Sequence, residues 1–237
     1  MKEPTNQAVE ERRDFLRTVA SAAGLALAGC ATAGSTRGGR ADTSQGTHEE
    51  AEVTPGEDLM QEHGVLERIL LIYDEAARRI EHSEPLDLAV LTSAASIIRR
   101  FVEDYHEKLE EQFVFPRLQV ARREVDLVAV LLRQHERGRQ VTDDIVRRTG
   151  AGATPELAQV LRSFARMYRP HAAREDTVLF PAFRGVVGRA GYRELGEQFE
   201  DKEHELFGEH GFENTIAEVA RLEAALGIAD LARFTAP

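Results

Sequence analysis

The sequence lacks residues on which several classes of protein depend. It has one cysteine and no tryptophan, and aromatic residues make up only 6% of the chain. A single cysteine cannot form an intramolecular disulfide, and so few aromatic residues argue against an all-β core. The formal net charge is -11 at pH 7 and basic residues alternate with acidic ones, which argues against binding to nucleic acid. We find no serine or cysteine nucleophile arrangement and no glycine-rich phosphate loop.

The residues that are abundant favour a helical protein. Hydrophobic residues make up 42% of the chain and charged residues 30%, with alanine, leucine, glutamate and arginine prominent. This composition is typical of a soluble, charge-rich helical protein. The chain has 237 residues, but the composition of its first fifty or so is not typical of a globular segment. The length therefore predicts one folded domain.

The amino-terminal segment has the features of an export signal. Arg12 and Arg13 precede an uncharged run over residues 18–29, which is too short to span a bilayer. This arrangement resembles a twin-arginine signal, and the run ends Leu-Ala-Gly-Cys30, which resembles the lipobox of bacterial lipoproteins. We therefore predict a signal peptide over 1–29, lipidation of Cys30 and an anchored location at the bacterial cell envelope, on its periplasmic or outer-surface side. The alternative is an ordinary amphipathic helix.

Residues 30–56 are expected to form a flexible tether after the lipidated cysteine. Glycine, serine, threonine and alanine dominate this stretch and no apolar period runs through it. Such a segment cannot offset the entropy lost on ordering. We expect a folded bundle over 57–185 and a helical extension over 186–237, with contact to the membrane through the lipid anchor alone.

Apolar residues recur at alternating spacings of three and four from Glu57 onward, which predicts helices with one buried stripe. Turn residues separate four long helices. They are expected from about Glu57 to the Ser83-Glu84-Pro85 turn, from Asp87 to Arg117, from Val125 to Arg148, and from Pro155 to beyond Phe180. Short connections make neighbouring helices antiparallel, so the fold class is all-α, an up-down four-helix bundle. Two further helices, at about 192–207 and 214–226, are expected to pack outside the bundle or at its end.

Histidine and glutamate interrupt the apolar stripes in an order that repeats. A helix with one stripe histidine, His63 or His135, precedes a helix with a His-x-x-x-Glu motif. The motif is His106 with Glu110 in the first half and His171 with Glu175 in the second, and a Phe-Pro pair follows each motif at the same distance. Residues four apart lie one turn apart on the same helix face, so each motif presents an imidazole and a carboxylate to one point.

Four imidazoles and two carboxylates facing one interior predict a site for two metal ions. Burying these groups without partners costs several kcal/mol each, whereas metal ions satisfy them together. Each carboxylate has two oxygens and can bridge two ions, so each ion takes two histidines. Nitrogen and oxygen ligands without thiolate fit iron, manganese or zinc. The coordination positions that remain open favour a redox iron pair that binds water, dioxygen or another small molecule.

Each of these elements is common by itself. A lone stripe histidine usually fills a core or surface position, and His-x-x-x-Glu occurs by chance in many helices. The ordered combination favours the metal site, and we take the remaining bundle-external histidines, His48, His82 and His210, as surface residues. A ferritin-like diiron site is the rival helical arrangement, but it needs two Glu-x-x-His motifs, and among the bundle histidines only Glu103 with His106 matches.

Over about residues 57–185 the pattern resembles the hemerythrin family in its broad bacterial form, the HHE cation-binding domain. The resemblance implies a four-helix bundle with a non-haem diiron centre, whose ligands here would be His63, His106, Glu110, His135, His171 and Glu175. Two departures matter. Hemerythrins carry a second histidine four residues after the one on the third helix, where this chain has Arg139, and they place a bridging aspartate where it offers both Glu175 and Asp176.

The missing histidine puts reversible oxygen carriage in doubt and leaves the identity of any further ligand open. Glu107, beside His106, is one candidate, and Glu203 or His204 on the extra helix are others. The alternative for the last two is a solvated run of charges.

Three functions remain open from the sequence. The first is a diiron domain that binds dioxygen, nitric oxide or iron itself for sensing, storage or protection. The second is an enzyme that turns over peroxide or nitric oxide at the same centre, with Tyr105, Tyr168 or Tyr73 as a redox-active or hydrogen-bonding phenol, although core filling is the simpler role for these tyrosines. The third is a metal-free helical interaction module. Two irons are the favoured cofactor over manganese or zinc, and the sequence identifies no protein partner.

Overall fold

The computed structural model describes residues 54–236, and within that range every regular element is helical. The export signal, Cys30, His48 and the predicted tether up to residue 53 lie outside the described residues. Residues 54–56, which the sequence assigns to the end of the tether, instead form the N-cap and first residues of the first helix, because Thr54 and Pro55 are favourable at a helix start. The elements are α1 (Pro55–Glu81), α2 (residues 88–120), α3 (Val125–Ala151), α4 (Pro155–Arg174 with its continuation Glu175–Leu179), α5 (Phe180–Phe207) and α6 (Gly211–Ala225), followed by a 3-10 turn (Leu231–Phe234). The all-α prediction is therefore confirmed.

The ends of the helices follow from local sequence. Thr54 caps α1, with its hydroxyl accepting from the backbone N–H of Glu57 while the Glu57 carboxylate accepts from the backbone N–H of Thr54. Thr154 caps α4 through the N–H of Leu157, and proline occupies the first position of both helices. Gly152 ends α3 at a φ of 117°, a conformation that side chains with a Cβ rarely adopt.

Two helices depart from regular α geometry at the predicted metal ligands. Within α2, π-helical segments cover Ile98–His106 and Glu110–Val114, and in α4 a π-helical segment covers Glu175–Leu179. Both glutamate segments end shortly before a proline, Pro116 or Pro181. Proline has no N–H and its ring clashes with the carbonyl four residues earlier, so the normal hydrogen-bond ladder cannot continue through that point. Single π turns such as Glu110–Val114 and Glu175–Leu179 are often found at functional sites.

The apolar stripes of the helices meet in one core. α1 packs against α4 and α2, and α3 packs against α2 and α4. Fully buried side chains at these contacts include Leu70, Tyr73 and Phe164, and Tyr73 meets Phe164 edge to face with ring centroids 5.5 Å apart. Because these side chains are fully buried and closely packed, the bundle holds in a fixed position the histidines and glutamates that interrupt its apolar stripes.

The carboxyl-terminal helices extend the core. α6 packs against α1 and α2, where Arg68 pairs with Glu223 at 2.6 Å. α5 continues directly from α4 and bends at Gly188, whose φ of 72° interrupts helical geometry inside the segment. Among the described residues, no helix has both the length and the apolar character needed to cross a membrane.

Candidate metal centre

Six ionisable side chains meet in the middle of the bundle, and all are at least 96% buried. They come from all four long helices and are His63, His106, Glu110, His135, His171 and Glu175. The sequence placed each of them on an apolar stripe, and the fold brings them to one place. His63 and His106 form what we call the first histidine pair, and His135 and His171 form the second histidine pair.

The histidines of each pair face one another through their Nε2 atoms. The Nε2 to Nε2 distance is 3.1 Å in the first histidine pair and 3.2 Å in the second. At these distances one ring must carry a proton on Nε2 and donate it to its neighbour, because two lone pairs would repel. A cation between the two rings would accept both lone pairs and remove the need for that proton.

Each glutamate reaches both histidine pairs. The Glu110 carboxylate lies 3.7 Å from Nε2 of His106 and 3.5 Å from Nε2 of His135. The Glu175 carboxylate lies 3.4 Å from Nε2 of His63, 3.1 Å from that of His171 and 3.9 Å from that of His135. Both carboxylates therefore stand between the pairs, where one carboxylate can serve two cations.

The carboxylate oxygens of Glu110 and Glu175 have no hydrogen-bond partner, although the side chains are completely buried. Burying acceptors of this kind without a donor costs about 1 to 3 kcal/mol each, and more when they are charged. Burial and the neighbouring Glu175 raise the pKa of Glu110 well above its usual range. Burial would raise the pKa of Glu175 too, but the charge of His171 and the close ring nitrogens of His171 and His63 outweigh it and lower that pKa.

The pKa values of the two rings in the first histidine pair also shift in opposite directions, as those of the two glutamates do. Burial alone would lower the pKa of His63, but hydrogen bonds to Asp176 and Glu175 outweigh it and raise that pKa to about 9. Burial and the adjacent His63 lower the pKa of His106 well below its usual range. His63 is thus the proton donor across the 3.1 Å contact and His106 the acceptor.

The outward ring nitrogens have acceptors of their own. Nδ1 of His63 donates to Asp176 at 2.7 Å, and Nδ1 of His106 donates to Glu62 at 2.7 Å.

In the second histidine pair the acceptors are Glu111, 3.2 Å from Nδ1 of His135, and Gln134, 2.9 Å from Nδ1 of His171. A hydrogen on Nδ1 leaves the Nε2 lone pair of a neutral ring directed inward, as metal-binding histidines require. We call Asp176, Glu62, Glu111 and Gln134 the outer acceptors.

The six side chains fit a pair of metal ions. Each histidine pair with its glutamate, His63 and His106 with Glu110 and His135 and His171 with Glu175, offers three ligand atoms within 4.8 Å of one another. Two cations would give partners to the four buried carboxylate oxygens and relieve both close Nε2 contacts. The donor set is nitrogen and oxygen without sulfur, which suits iron, manganese or zinc.

The other sequence candidates lie around this centre. Glu107 is buried, receives hydrogen bonds from the Tyr168 hydroxyl and from Arg139, both at 2.7 Å, and lies with Glu111 and His135 in a third cluster of metal-type ligands. Burial raises the pKa of Glu107 to about 8, whereas its two donors favour the ionised form. Arg139 also pairs with Glu111 at 2.5 Å, so its guanidinium already supplies a cation at this place.

Glu203 and His204 are not brought to the six central side chains. Glu203 is buried and its Oε1 accepts from the backbone N–H of Phe212 at 2.8 Å, so the carboxylate serves the first turn of α6. His204 is half-buried on α5. Among the described histidines outside the bundle pattern, His82 and His210 are exposed.

The two tyrosines beside the ligands have different surroundings. Tyr168 packs its ring against His171 with centroids 5.3 Å apart and donates its hydroxyl hydrogen to Glu107. Tyr105 is buried next to Phe101 and Phe207, on the side of α2 that faces the carboxyl-terminal helices. Burial raises the pKa of both phenols, so both stay protonated at neutral pH.

Sequence reasoning missed three of the four outer acceptors, since only Asp176 was singled out. The available signal was position, because each outer acceptor is next to a ligand in the chain: Glu62 before His63, Gln134 before His135, and Glu111 after Glu110. Polar residues next to ligands are common on helices, so the pattern gains meaning only when the partner helix is in place.

Comparisons with known proteins agree with this centre. The model of the hemerythrin HHE cation-binding domain matches residues 54–183 and, in an overlapping second match, residues 128–225. Uncharacterized proteins of Mycobacterium bovis and Mycobacterium tuberculosis are 47% identical to the chain, over 98% of this chain and 93% of the relative. No solved structure matches it significantly.

Proposed function

The chain belongs to the hemerythrin HHE cation-binding domain family, and we propose that it is a non-haem diiron protein of the bacterial cell envelope. The two irons would bind a small ligand such as dioxygen or nitric oxide, or would themselves be the stored cargo. The centre would then serve sensing, storage or protection. The ions are held by two groups of three ligands, His63, His106 and Glu110 in one group and His135, His171 and Glu175 in the other.

One observation carries the proposal. Four carboxylate oxygens of Glu110 and Glu175 lie buried without partners between two histidine pairs whose Nε2 atoms already face each other. A metal-free core would not retain such an arrangement, because apolar residues of the same size would be at least as stable there. Six protein ligands are fewer than two octahedral ions accept, so positions remain for water or a small ligand.

The chain's own residues prepare the centre for that ligand. The outer acceptors hold the Nδ1 hydrogens, which orients each ring and keeps its Nε2 lone pair inward. The apolar stripes around the ligands exclude bulk water, and Phe115 and Phe180 stack on His135 and His63. Bound iron would supply redox chemistry and affinity for diatomic ligands.

The envelope location rests on the sequence outside the described residues. The sequence there resembles a twin-arginine lipoprotein signal, in which an arginine pair (Arg12 and Arg13), an uncharged run and a cysteine (Cys30) follow one another. That export route carries folded proteins, which suits a protein that acquires its metal before it crosses the membrane. Globomycin-sensitive processing and labelling of Cys30 with a fatty acid, both lost in Cys30→Ala, would test this part of the proposal.

Ligand binding by the iron-loaded full chain tests the functional part. We expect nitric oxide, added without oxygen to the reduced protein, to change the optical spectrum in a saturable way and to be removable by purging. Glu136→Gln is the matched control, because Glu136 is exposed and next to His135. His106→Ala should lose the response and the control should keep it. An iron-loaded protein that ignores both nitric oxide and dioxygen would contradict ligand binding and leave iron storage.

Tyr168 favours a second candidate function, turnover of peroxide or nitric oxide. Its phenol is buried, packs on His171 and shares its hydrogen with Glu107. For this function, Tyr168→Phe should slow peroxide disproportionation, measured without added reductant, while the iron content stays unchanged. Equal rates in the parent and in the His106→Ala variant would exclude the enzyme. A chain that folds fully after chelation and takes up no metal would instead be a helical interaction module.

A further inference from the structure

The two halves of the metal centre repeat each other, outer acceptors included. In each half, the residue before the lone histidine accepts the Nδ1 hydrogen of the histidine in the following His-x-x-x-Glu motif: Glu62 serves His106, and Gln134 serves His171. The residue after each motif glutamate serves the lone histidine of the other half. Glu111 therefore serves His135, and Asp176 serves His63.

The repeat is broken at its first position. Glu62 is a carboxylate, 2% exposed, and lies 2.7 Å from Nδ1 of His106. The equivalent residue Gln134 is an amide, 2.9 Å from Nδ1 of His171. A carboxylate that accepts from Nδ1 makes the imidazole a stronger ligand and adds a negative charge near the ion, whereas an amide adds no charge.

The repeat is broken again at its second position. Asp176 lies 2.7 Å from Nδ1 of His63 and pairs with that ring. The equivalent Glu111 lies 3.2 Å from Nδ1 of His135, and its charge is shared with Arg139 at 2.5 Å and Lys108 at 2.6 Å. Lys108, together with Arg139, which Glu111 shares with Glu107, offsets the negative charge that Glu111 would otherwise contribute to the second histidine pair.

Both differences act in the same direction. We propose that the two metal positions are unequal, and that the position at the first histidine pair binds a divalent cation more tightly and fills first. The inference rests on the proposed dimetal centre and goes beyond it, because it assigns the inequality to Glu62, Gln134 and the partners of Glu111. Outer acceptors of this kind change metal affinity about 10- to 100-fold in other sites.

Cobalt(II) titration of the metal-free full chain tests the inference, with visible absorbance and calorimetry as readouts. Repulsion between adjacent ions separates two binding steps even at equal positions, so variants at the outer acceptors provide the decisive result. Glu62→Gln should weaken the first step about 10-fold. Gln134→Glu should strengthen the second step and change the first only slightly. Glu136→Gln, which alters an exposed carboxylate beside His135, should leave both steps unchanged.

The outcomes separate this inference from the proposed function. Two cobalt ions with a first step that Glu62→Gln does not weaken, in a variant with the parent's helical content, would overturn the unequal positions and leave the dimetal centre standing. No cobalt binding by the folded parent chain would remove the dimetal centre and the inference together. If Glu62→Gln does not fold, Gln134→Glu decides, and an unchanged second step in that variant would overturn the inference.

Discussion

The hydroxyl of Tyr168 lies directly over Gly138, and a Cβ added to Gly138 would be 1.8 Å from the hydroxyl oxygen. Glycine in the middle of α3 therefore gives Tyr168 the space to reach Glu107 beside the metal centre. The cost of glycine inside a helix is about 0.5 to 1 kcal/mol, which indicates that this contact is worth keeping.

We expect Gly138→Ala to destabilise the protein by about 1 to 3 kcal/mol, although alanine is the better helix former. The added methyl group would displace the Tyr168 ring and break its hydrogen bond to Glu107. Urea unfolding measures the change. Gly64→Ala is the matched control, because nothing lies within 4 Å of a Cβ at that exposed helical position, and it should stabilise slightly. In a Tyr168→Leu background Gly138→Ala should cost little, and an equal cost in both backgrounds would contradict the assigned clash.

Metal binding should stabilise the fold through its buried carboxylates. Because Glu110 has no partner for either oxygen, Glu110→Met should leave the metal-free melting temperature equal to or above that of the parent. The same variant should lose most of the rise in melting temperature that metal produces in the parent. Calorimetric melting with and without iron(II) measures both effects. A large drop in the metal-free melting temperature would mean that Glu110 has a structural partner instead.

Arg139 should be structural rather than a ligand. Its side chain is 25% exposed and pairs with buried Glu107 and half-buried Glu111. We expect Arg139→Met to cost about 2 to 3 kcal/mol, somewhat less than loss of one partner of a fully buried pair. Adding Glu107→Gln should recover part of the loss, because glutamine can still accept from Tyr168 without carrying a charge. Additive effects in a double-mutant cycle of chemical unfolding would argue against this coupling.

Glu75 should make stability depend on acid. Hydrogen bonds from Arg78, opposed by burial and assisted by Arg79, lower the pKa of Glu75 from 4.5 to about 2. A carboxyl with a lowered pKa in the fold stabilises above its unfolded pKa, and this stabilisation is lost as pH falls from about 4.5 through about 2. We expect Glu75→Gln to cost about 1 kcal/mol at pH 7 and almost nothing near pH 2. The difference between parent and variant should be measured by urea unfolding at both pH values, and a pH-independent difference would refute the assignment.

The sequence was sufficient to predict the bundle and its six central side chains. Apolar spacing specifies which face of each helix is buried, so a histidine or glutamate on that face must point inward. The order of His63, His106, His135 and His171 then predicts two equivalent halves, and the fold brings these side chains together as that order implies.

The remainder depends on contacts between helices, which spacing does not contain. The π-helical segments at Glu110 and Glu175 arise where a proline interrupts a packed helix, and the periodicity did not indicate them. Gln134 and Glu62 gain their roles only when α3 meets α4 and α1 meets α2. Glu203 was a candidate ligand because it lies in a charged run with His204, but its carboxylate accepts from the backbone N–H of Phe212 in the first turn of α6.

The diiron centre is best tested by metal analysis of the full chain, produced with iron and purified without chelator. We expect about two irons per chain in the parent, in line with two sets of three ligands, and almost none in a His171→Ala, Glu175→Ala variant with parent-like helical content. A folded parent chain that contains no metal, or one zinc in place of two irons, would contradict the diiron centre.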